Sequence, residues 1–254
     1  MTKYFDCNRG GHSIKCKLYA NDPRAIRNLV IFGHGFGGHK DNKAAERFAE
    51  TLLSKRKDAA LLAFNWPAHG DDVKKRLTLA DCDDYLRLIL EFAQEEYRPA
   101  AIFGYATSFG GFVFLKYLAE HGNPFRKLAL RCPAVDVYEG LTTRILTPAD
   151  RAKLEKGRDA ELGFDRKVRV NRDFFDELAG VDLFAYDYLD YAEDMLILQG
   201  TADEIVSYDA VSRFADQNLI ELIPFEQADH RFHDPAKMGT AIADILKFFA
   251  PEFQ

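Results

Sequence analysis

Short runs that are apolar at every position alternate along this chain with stretches whose apolar residues recur every three or four positions. Leu29–Phe32, Ala59–Phe64 and Met195–Leu198 are the clearest runs. A segment with no polar face cannot border water, so each run reads as a strand covered on both sides. Between them, Asn42–Lys55, Leu79–Glu95 and Pro235–Phe249 carry a single apolar stripe and read as amphipathic helices. Strands are also expected over Ala100–Phe103, Lys127–Arg131 and Leu219–Ile223, and a further helix over Tyr208–Asp216. Two antiparallel strands near Tyr4–Cys7 and Ile14–Tyr19, joined by a turn at Asn8-Arg9-Gly10-Gly11, complete a count of eight. The pattern predicts an α/β fold: a mostly parallel eight-stranded sheet with helices on both faces and an antiparallel edge.

Between residues 134 and 193 the alternation breaks. Thr147-Pro148 opens one short helix that Gly157 closes, and Asn171 opens another that Gly180 ends. The basic stretch from Arg144 to Arg172 reads as a solvated helical face. Phe174, Phe175, Phe184, Tyr186, Tyr188 and Tyr191 argue against a loose linker. The expected organisation is a core of residues 1–133 and 194–254, with 134–193 inserted as a helical lid.

Net charge is −6, from 40 acidic against 34 basic side chains, which gives no electrostatic reason to expect nucleic acid as a partner. No apolar run is long enough to span a bilayer, so no membrane partner is expected. The start of the chain, with Lys3 and Asp6, lacks a signal-peptide pattern, and a cytoplasmic setting is expected. Cys7, Cys16, Cys82 and Cys132 are scattered and are expected as reduced, small hydrophobes rather than bridges. A homodimer is left open.

Ser108 stands in Phe103-Gly104-Tyr105-Ala106-Thr107-Ser108-Phe109-Gly110-Gly111, after a strand and before a helix. Ala106 and Gly110, two residues to either side, are small. This is the layout of a nucleophile elbow, in which a strained turn thrusts the serine hydroxyl above the sheet. The same short motif also occurs as an ordinary N-cap, so its partners must decide.

A serine hydroxyl attacks only when a general base takes its proton and a carboxylate orients that base. Asp203 follows the Met195–Leu198 strand, and His230 lies between the last strand and the last helix. Both fall at carboxyl ends of strands, the edge that Ser108 shares and where open α/β sheets gather ligands. The predicted triad is Ser108, His230 and Asp203. His233 is a rival base, and Asp229 and Asp209 are weaker rival acids. The oxyanion donors are assigned to the backbone N–H groups of Phe109, next to the nucleophile, and Phe36, in the loop Gly33-His34-Gly35-Phe36-Gly37-Gly38. His34 is expected to brace that loop. The histidines lack metal-ligand spacing, so no metal and no organic cofactor are expected.

Together, His34-Gly35-Phe36-Gly37-Gly38, Asn65-Trp66-Pro67-Ala68-His69-Gly70, the Ser108 elbow, Gln199-Gly200-x-x-Asp203 and Ala228-Asp229-His230-Arg231-Phe232 resemble the α/β-hydrolase superfamily nearly end to end. The first loop, the His230 segment and the inserted residues are similar to bacterial cinnamoyl/feruloyl esterases and related carboxylesterases. That resemblance implies a serine ester hydrolase with an aromatic acyl group under the lid. Tyr138, Tyr186 and Tyr188 would be candidates to bind the substrate. Two departures are Ala106, in place of the usual glycine, and Asn65-Trp66, where many relatives carry an Asp and a small or basic residue. The implied activity is hydrolysis of small-molecule carboxylic esters, hydroxycinnamates or other aryl and short-acyl esters. The alternatives are a thioesterase, a small-peptide or amide hydrolase and, least favoured, a non-enzymatic binding protein.

Overall fold

The computed structural model describes residues 1–163 and 166–254. The strands are β1 (Thr2–Arg9), β2 (His12–Ala20), β3 (Asn28–Gly33), β4 (Ala59–Phe64), β5 (Ala101–Thr107), β6 (Leu128–Arg131), β7 (Ala160–Leu162), β8 (Val168–Val170), β9 (Met195–Gly200) and β10 (Glu221–Phe225). The helices are α1 (Lys43–Lys55), α2 (Leu79–Glu96), α3 (Phe109–His121), α4 (Val137–Gly140), α5 (Pro148–Glu155), α6 (Arg172–Ala179), α7 (Tyr208–Asn218) and α8 (Pro235–Phe249). Eight strands form one sheet in the order β1-β2-β4-β3-β5-β6-β9-β10. β1 and β2 pair antiparallel, as do β2 and β4, and every other pairing in this sheet is parallel.

Alternate residues of the central strands feed two apolar layers. Leu29 and Ile31 of β3 and Leu62 and Phe64 of β4 enter the layer that also holds Leu86 and Ile89 of α2 and Leu115 of α3. Val30, Phe32, Leu61 and Ala63 enter the opposite layer, with Phe48 and Leu52 of α1 and Ile242 and Ile245 of α8. The period of two in the strands thus sends apolar side chains to both faces. α1 is capped by Asn42, whose side chain accepts from the N–H groups of Ala44 and Ala45. Leu219 adopts φ 54°, the left-handed region, so the last strand begins at Glu221, two residues later than expected.

β3 and β5 are neighbours, yet the chain leaves them in opposite directions. β3 leads through α1 to β4 on one side, and β5 leads through α3 to β6 on the other. The loops at their carboxyl ends therefore diverge and open a crevice at the switch point.

The segment between β6 and β9 contains α4, a π-helical turn at Leu141–Ile145, α5, the β7–β8 hairpin and α6. The helices opened by Thr147 and Asn171 form as expected, each cap side chain accepting a backbone N–H. The hairpin and α4 were not foreseen. Leu162, Val168, Phe174, Leu178 and Tyr188 join the same apolar layer as α2 and α3, so the segment packs onto the sheet domain as one continuous core.

All four cysteines are free and buried. Cys7 faces Ile14 and Cys16 faces Phe5 across the β1–β2 ladder, so neither opposes the other. No described helix is long and apolar enough to cross a membrane.

Candidate active site

Ser108 sits between β5 and α3 with φ 52° and ψ −121°, a conformation costly for a residue with a side chain. The surroundings hold it there. Its N–H donates to Arg131 O, and its carbonyl accepts from the N–H groups of Phe112 and Ala134, all at 3.1 Å. Gly110 is obligatory at the next turn: a Cβ there would lie 2.4 Å from the Gly33 carbonyl oxygen. Ala106 is fully buried and registers against Gly33 and Leu130, where its one methyl group fits.

The structure brings the three predicted catalytic side chains together. Ser108 Oγ lies 2.9 Å from His230 Nε2, and His230 Nδ1 lies 2.8 Å from Asp203 Oδ2. An ionised carboxylate only accepts, so the ring proton sits on Nδ1 and leaves Nε2 free to accept from the serine hydroxyl. The Asp203 side chain is fully buried. Its Oδ1 accepts from the N–H groups of Ile205 and Val206, and its Oδ2 also accepts from Gln199 Nε2. Burial pushes its carboxyl up, but the His230 bond and these donors outweigh burial and hold it below its ordinary value. The chain from Ser108 to Asp203 is thus set for proton transfer.

Both turns that carry the partners are tied together. Ala202 N–H donates to Ala228 O, and Gln227 N–H donates to Thr201 Oγ1. His230 N–H donates to Glu204 Oε2, and Arg131 Nη1 donates to His230 O. Gln199, Glu204 and Arg131 were missed in the sequence. Gln199 and Arg131 were visible there as polar residues at the carboxyl ends of otherwise apolar strands.

The loop after β3 reaches the same point. A Cβ on Gly35 would stand 3.1 Å from Ser108 Cβ, and the Phe36 and Phe109 rings meet edge to face at 5.8 Å. Among the described residues, no hydrogen bond engages the N–H of Phe36 or of Phe109. Two unpaired donors beside a nucleophile can stabilise a developing oxyanion. His34 braces this loop. Its Nδ1–H donates to Gly35 O, its Nε2 accepts from Trp66 N–H, and Trp66 Nε1–H donates to His34 O. Burial holds its imidazole far below the usual range, and that of His69, packed against Phe36, down at about 4.

The rivals stand apart. His233 pairs with Asp229 at 2.8 Å, with its side chain largely exposed, and Asp209 is an exposed residue of the first turn of α7. Cys132 offers a sulfur near Asp203 and His230, a grouping that could hold a metal. However, burial pushes its thiol well up, and Asp203 and His230 already bond each other. This donor set does not fit a metal site.

A cavity of about 370 Å³ opens from Ser108, walled mainly by Phe36, Phe109, Val137, Leu141, Ile205 and Val206. Asp136 also lines it, and burial raises its carboxyl above the ordinary value. The three tyrosines expected to bind substrate are not on this wall. Tyr188 is fully buried, its hydroxyl donating to Leu115 O and its ring against Phe214. Tyr186 packs against the main core, and Tyr138 is exposed to solvent. The insertion folds down onto α3 and α7, which draws Tyr188 away from the cavity, and α4 with its π turn forms the wall instead.

The sequence model of one family, described as the alpha/beta hydrolase family, matches residues 30–244. No curated protein matches the chain. Among solved structures, Est1E from Butyrivibrio proteoclasticus with ferulic acid bound superposes with a TM-score of 0.76 at 18% identity, covering 98% of this chain and 99% of that one. The esterase domain of a Rhodothermus marinus protein gives 0.71 at 20% identity, over 99% and 98%. The Pyrococcus furiosus esterase Pf2001 gives 0.69 at 15%, over 99% and 92%. At these identities the likeness is one of fold.

Proposed function

Since this chain belongs to the alpha/beta hydrolase family, we propose that it is a serine carboxylic-ester hydrolase acting through an acyl-enzyme. The observation that carries this reading is the unbroken chain of short contacts from Ser108 Oγ through His230 to Asp203, at a serine held in a strained turn. In this mechanism Ser108 Oγ attacks the ester carbonyl while His230 Nε2 takes its proton. The N–H groups of Phe36 and Phe109 receive the oxyanion. His230 returns the proton to the departing alcohol oxygen, and water, deprotonated by His230, then releases the acid. Asp203 holds the imidazole and stabilises its charged form.

The acyl group enters the cavity of about 370 Å³, whose apolar wall suits an aryl or short alkyl chain. Residues 134–193 act as its lid, with α4 and the π turn as the roof. The ferulic acid named with Est1E makes hydroxycinnamate esters the first substrates to try. In this reading Asp136, with Glu204, Arg231 and His233, rather than the tyrosines, supplies the polar groups available to a ring substituent.

The test is reaction with a fluorophosphonate probe together with turnover of aryl and alkyl esters. Wild-type protein labels at one serine and hydrolyses esters. Ser108→Ala loses labelling and on the order of a thousandfold or more in rate. Undiminished turnover by that variant overturns the reading.

A further inference from the structure

We propose that the leaving group of the substrate is anionic, a phosphate- or carboxylate-bearing alcohol or thiol, and that it lies in a second, basic cleft beside Ser108. This rests on the ester-hydrolase reading. The cleft, about 610 Å³, shares Phe36, Ser108, His230, Arg231 and His233 with the apolar cavity but runs the other way, along the 35–39 loop and the start of α1. Among the described residues its charged lining is Lys43, Arg47, Arg131, Arg166 and Arg231 against the carboxylate of Asp41.

The balance is more one-sided than that count. Asp41 is already engaged by Lys17 at 3.0 Å and by the Tyr4 hydroxyl at 2.7 Å. Lys43, Arg47 and Arg166 have no carboxylate partner among the described residues. Arg131 is buried and spends Nη1 on the His230 carbonyl, while its Nε has no hydrogen-bond partner. Arg231 makes contacts of its own and is not needed for the case. All this occurs on a chain of net charge −6, where a cleft whose described lining holds more cations than carboxylates is a local exception. Cations around a concave surface focus the field on the volume they enclose.

The reaction needs two such spaces. In the tetrahedral intermediate the carbon bears Ser108 Oγ, the oxyanion, the acyl carbon and the leaving oxygen or sulfur. The oxyanion takes the paired N–H donors. The acyl carbon chain and the leaving group must then depart in different directions. The mainly apolar cavity sets two carboxylates, Asp136 and Glu204, against the single guanidinium of Arg231, whereas the cleft carries an excess of cations. An anion would lose hydration in the first for little return, so the apolar substituent goes there and the charged one goes to the cleft. The bond from carbon to the leaving atom breaks, that atom takes the proton held on His230, and the anionic group departs unchanged.

The test uses one acyl group throughout, in three phenyl butyrates that differ only in the para substituent of the phenol. One carries a carboxylate, one a phosphate and one a neutral methyl ester. Their kcat/KM values are compared at low and high ionic strength. At low salt an anionic substrate should exceed the neutral one by about tenfold, and the advantage should shrink as salt screens it. Which anion gains more separates phosphate from carboxylate recognition. The double variant Lys43→Glu, Arg47→Glu, and separately Arg166→Glu, should lower the anionic-to-neutral ratio. The ratio is taken within one preparation, so any loss of folded protein cancels. Hydrolysis of the neutral substrate with no anionic preference, or a preference indifferent to salt and to these variants, overturns the inference alone. Hydrolysis of none of the three overturns the hydrolase reading and this one with it.

Discussion

Gln199 Nε2 donates at 3.0 Å to Asp203 Oδ2, the same oxygen that receives the His230 ring proton at 2.8 Å. With Ile205 and Val206 on Oδ1, every group facing this carboxylate is a donor. The pocket is built for an ionised acid and for nothing else of that shape.

Asp203→Asn should therefore fail twice. Turned toward His230, its amide NH₂ donates to Nδ1 and drives the ring proton onto Nε2, the atom that must accept from Ser108; turned the other way, it meets the N–H groups of Ile205 and Val206. We expect kcat to fall by about three to four orders of magnitude, with a loss of stability of about 1–3 kcal/mol for the unsatisfied buried group. Steady-state kinetics and urea melts of the same preparation check both halves.

Gly110 and Gly239 offer a matched pair. A methyl group at Gly110 meets the Gly33 carbonyl oxygen at 2.4 Å, whereas one at Gly239 in α8 meets nothing within 4 Å. Gly110→Ala should displace the elbow and strip fluorophosphonate reactivity. Gly239→Ala should keep it and raise stability by about 0.5–1 kcal/mol, the usual helix gain over glycine.

Acid should weaken the fold before it touches most carboxylates. His69 is fully buried, its imidazole held at about 4 against 6.5 when unfolded. Between those values the unfolded chain binds the extra proton, so stability falls as pH drops through that window, by up to about 3 kcal/mol. His34, lowered by burial as well, adds to the same slope. Denaturant midpoints at pH 7 and pH 4.5 should differ less in His69→Phe than in wild type. An equal difference would refute the assignment.

Reductant should not change the melting temperature, because Cys7, Cys16, Cys82 and Cys132 are all free. Burial raises their thiols, that of Cys7 to about 11, so thiol reagents should label the native protein slowly and the unfolded protein at once. Calorimetry with and without reductant, and timed labelling, decide the matter.

The main sheet was legible because its strands are apolar on both faces and its helices are capped by residues such as Asn42, Thr147 and Asn171. Ser108, Asp203 and His230 were legible because each closes or follows a strand at one edge of that sheet. The β7–β8 hairpin was not, since three-residue strands are too short to show a period. The tyrosines misled for a different reason. Aromatic content signals packing, and only the fold decides whether a ring such as that of Tyr188 faces a substrate or the backbone of α3. Gln199 and Glu204 act through geometry across distant turns, which spacing along the chain does not reveal.

Because Leu162, Val168, Phe174 and Tyr188 belong to the same apolar mass as α2 and α3, the inserted segment is not a detachable cover. Cutting it out would lay bare oily surface over two helices rather than produce an open-mouthed enzyme, and such a truncation is headed for the insoluble fraction. Selectivity in this molecule is therefore better retuned one side chain at a time, at Val137, Leu141 or Ile205, than by exchanging the whole segment.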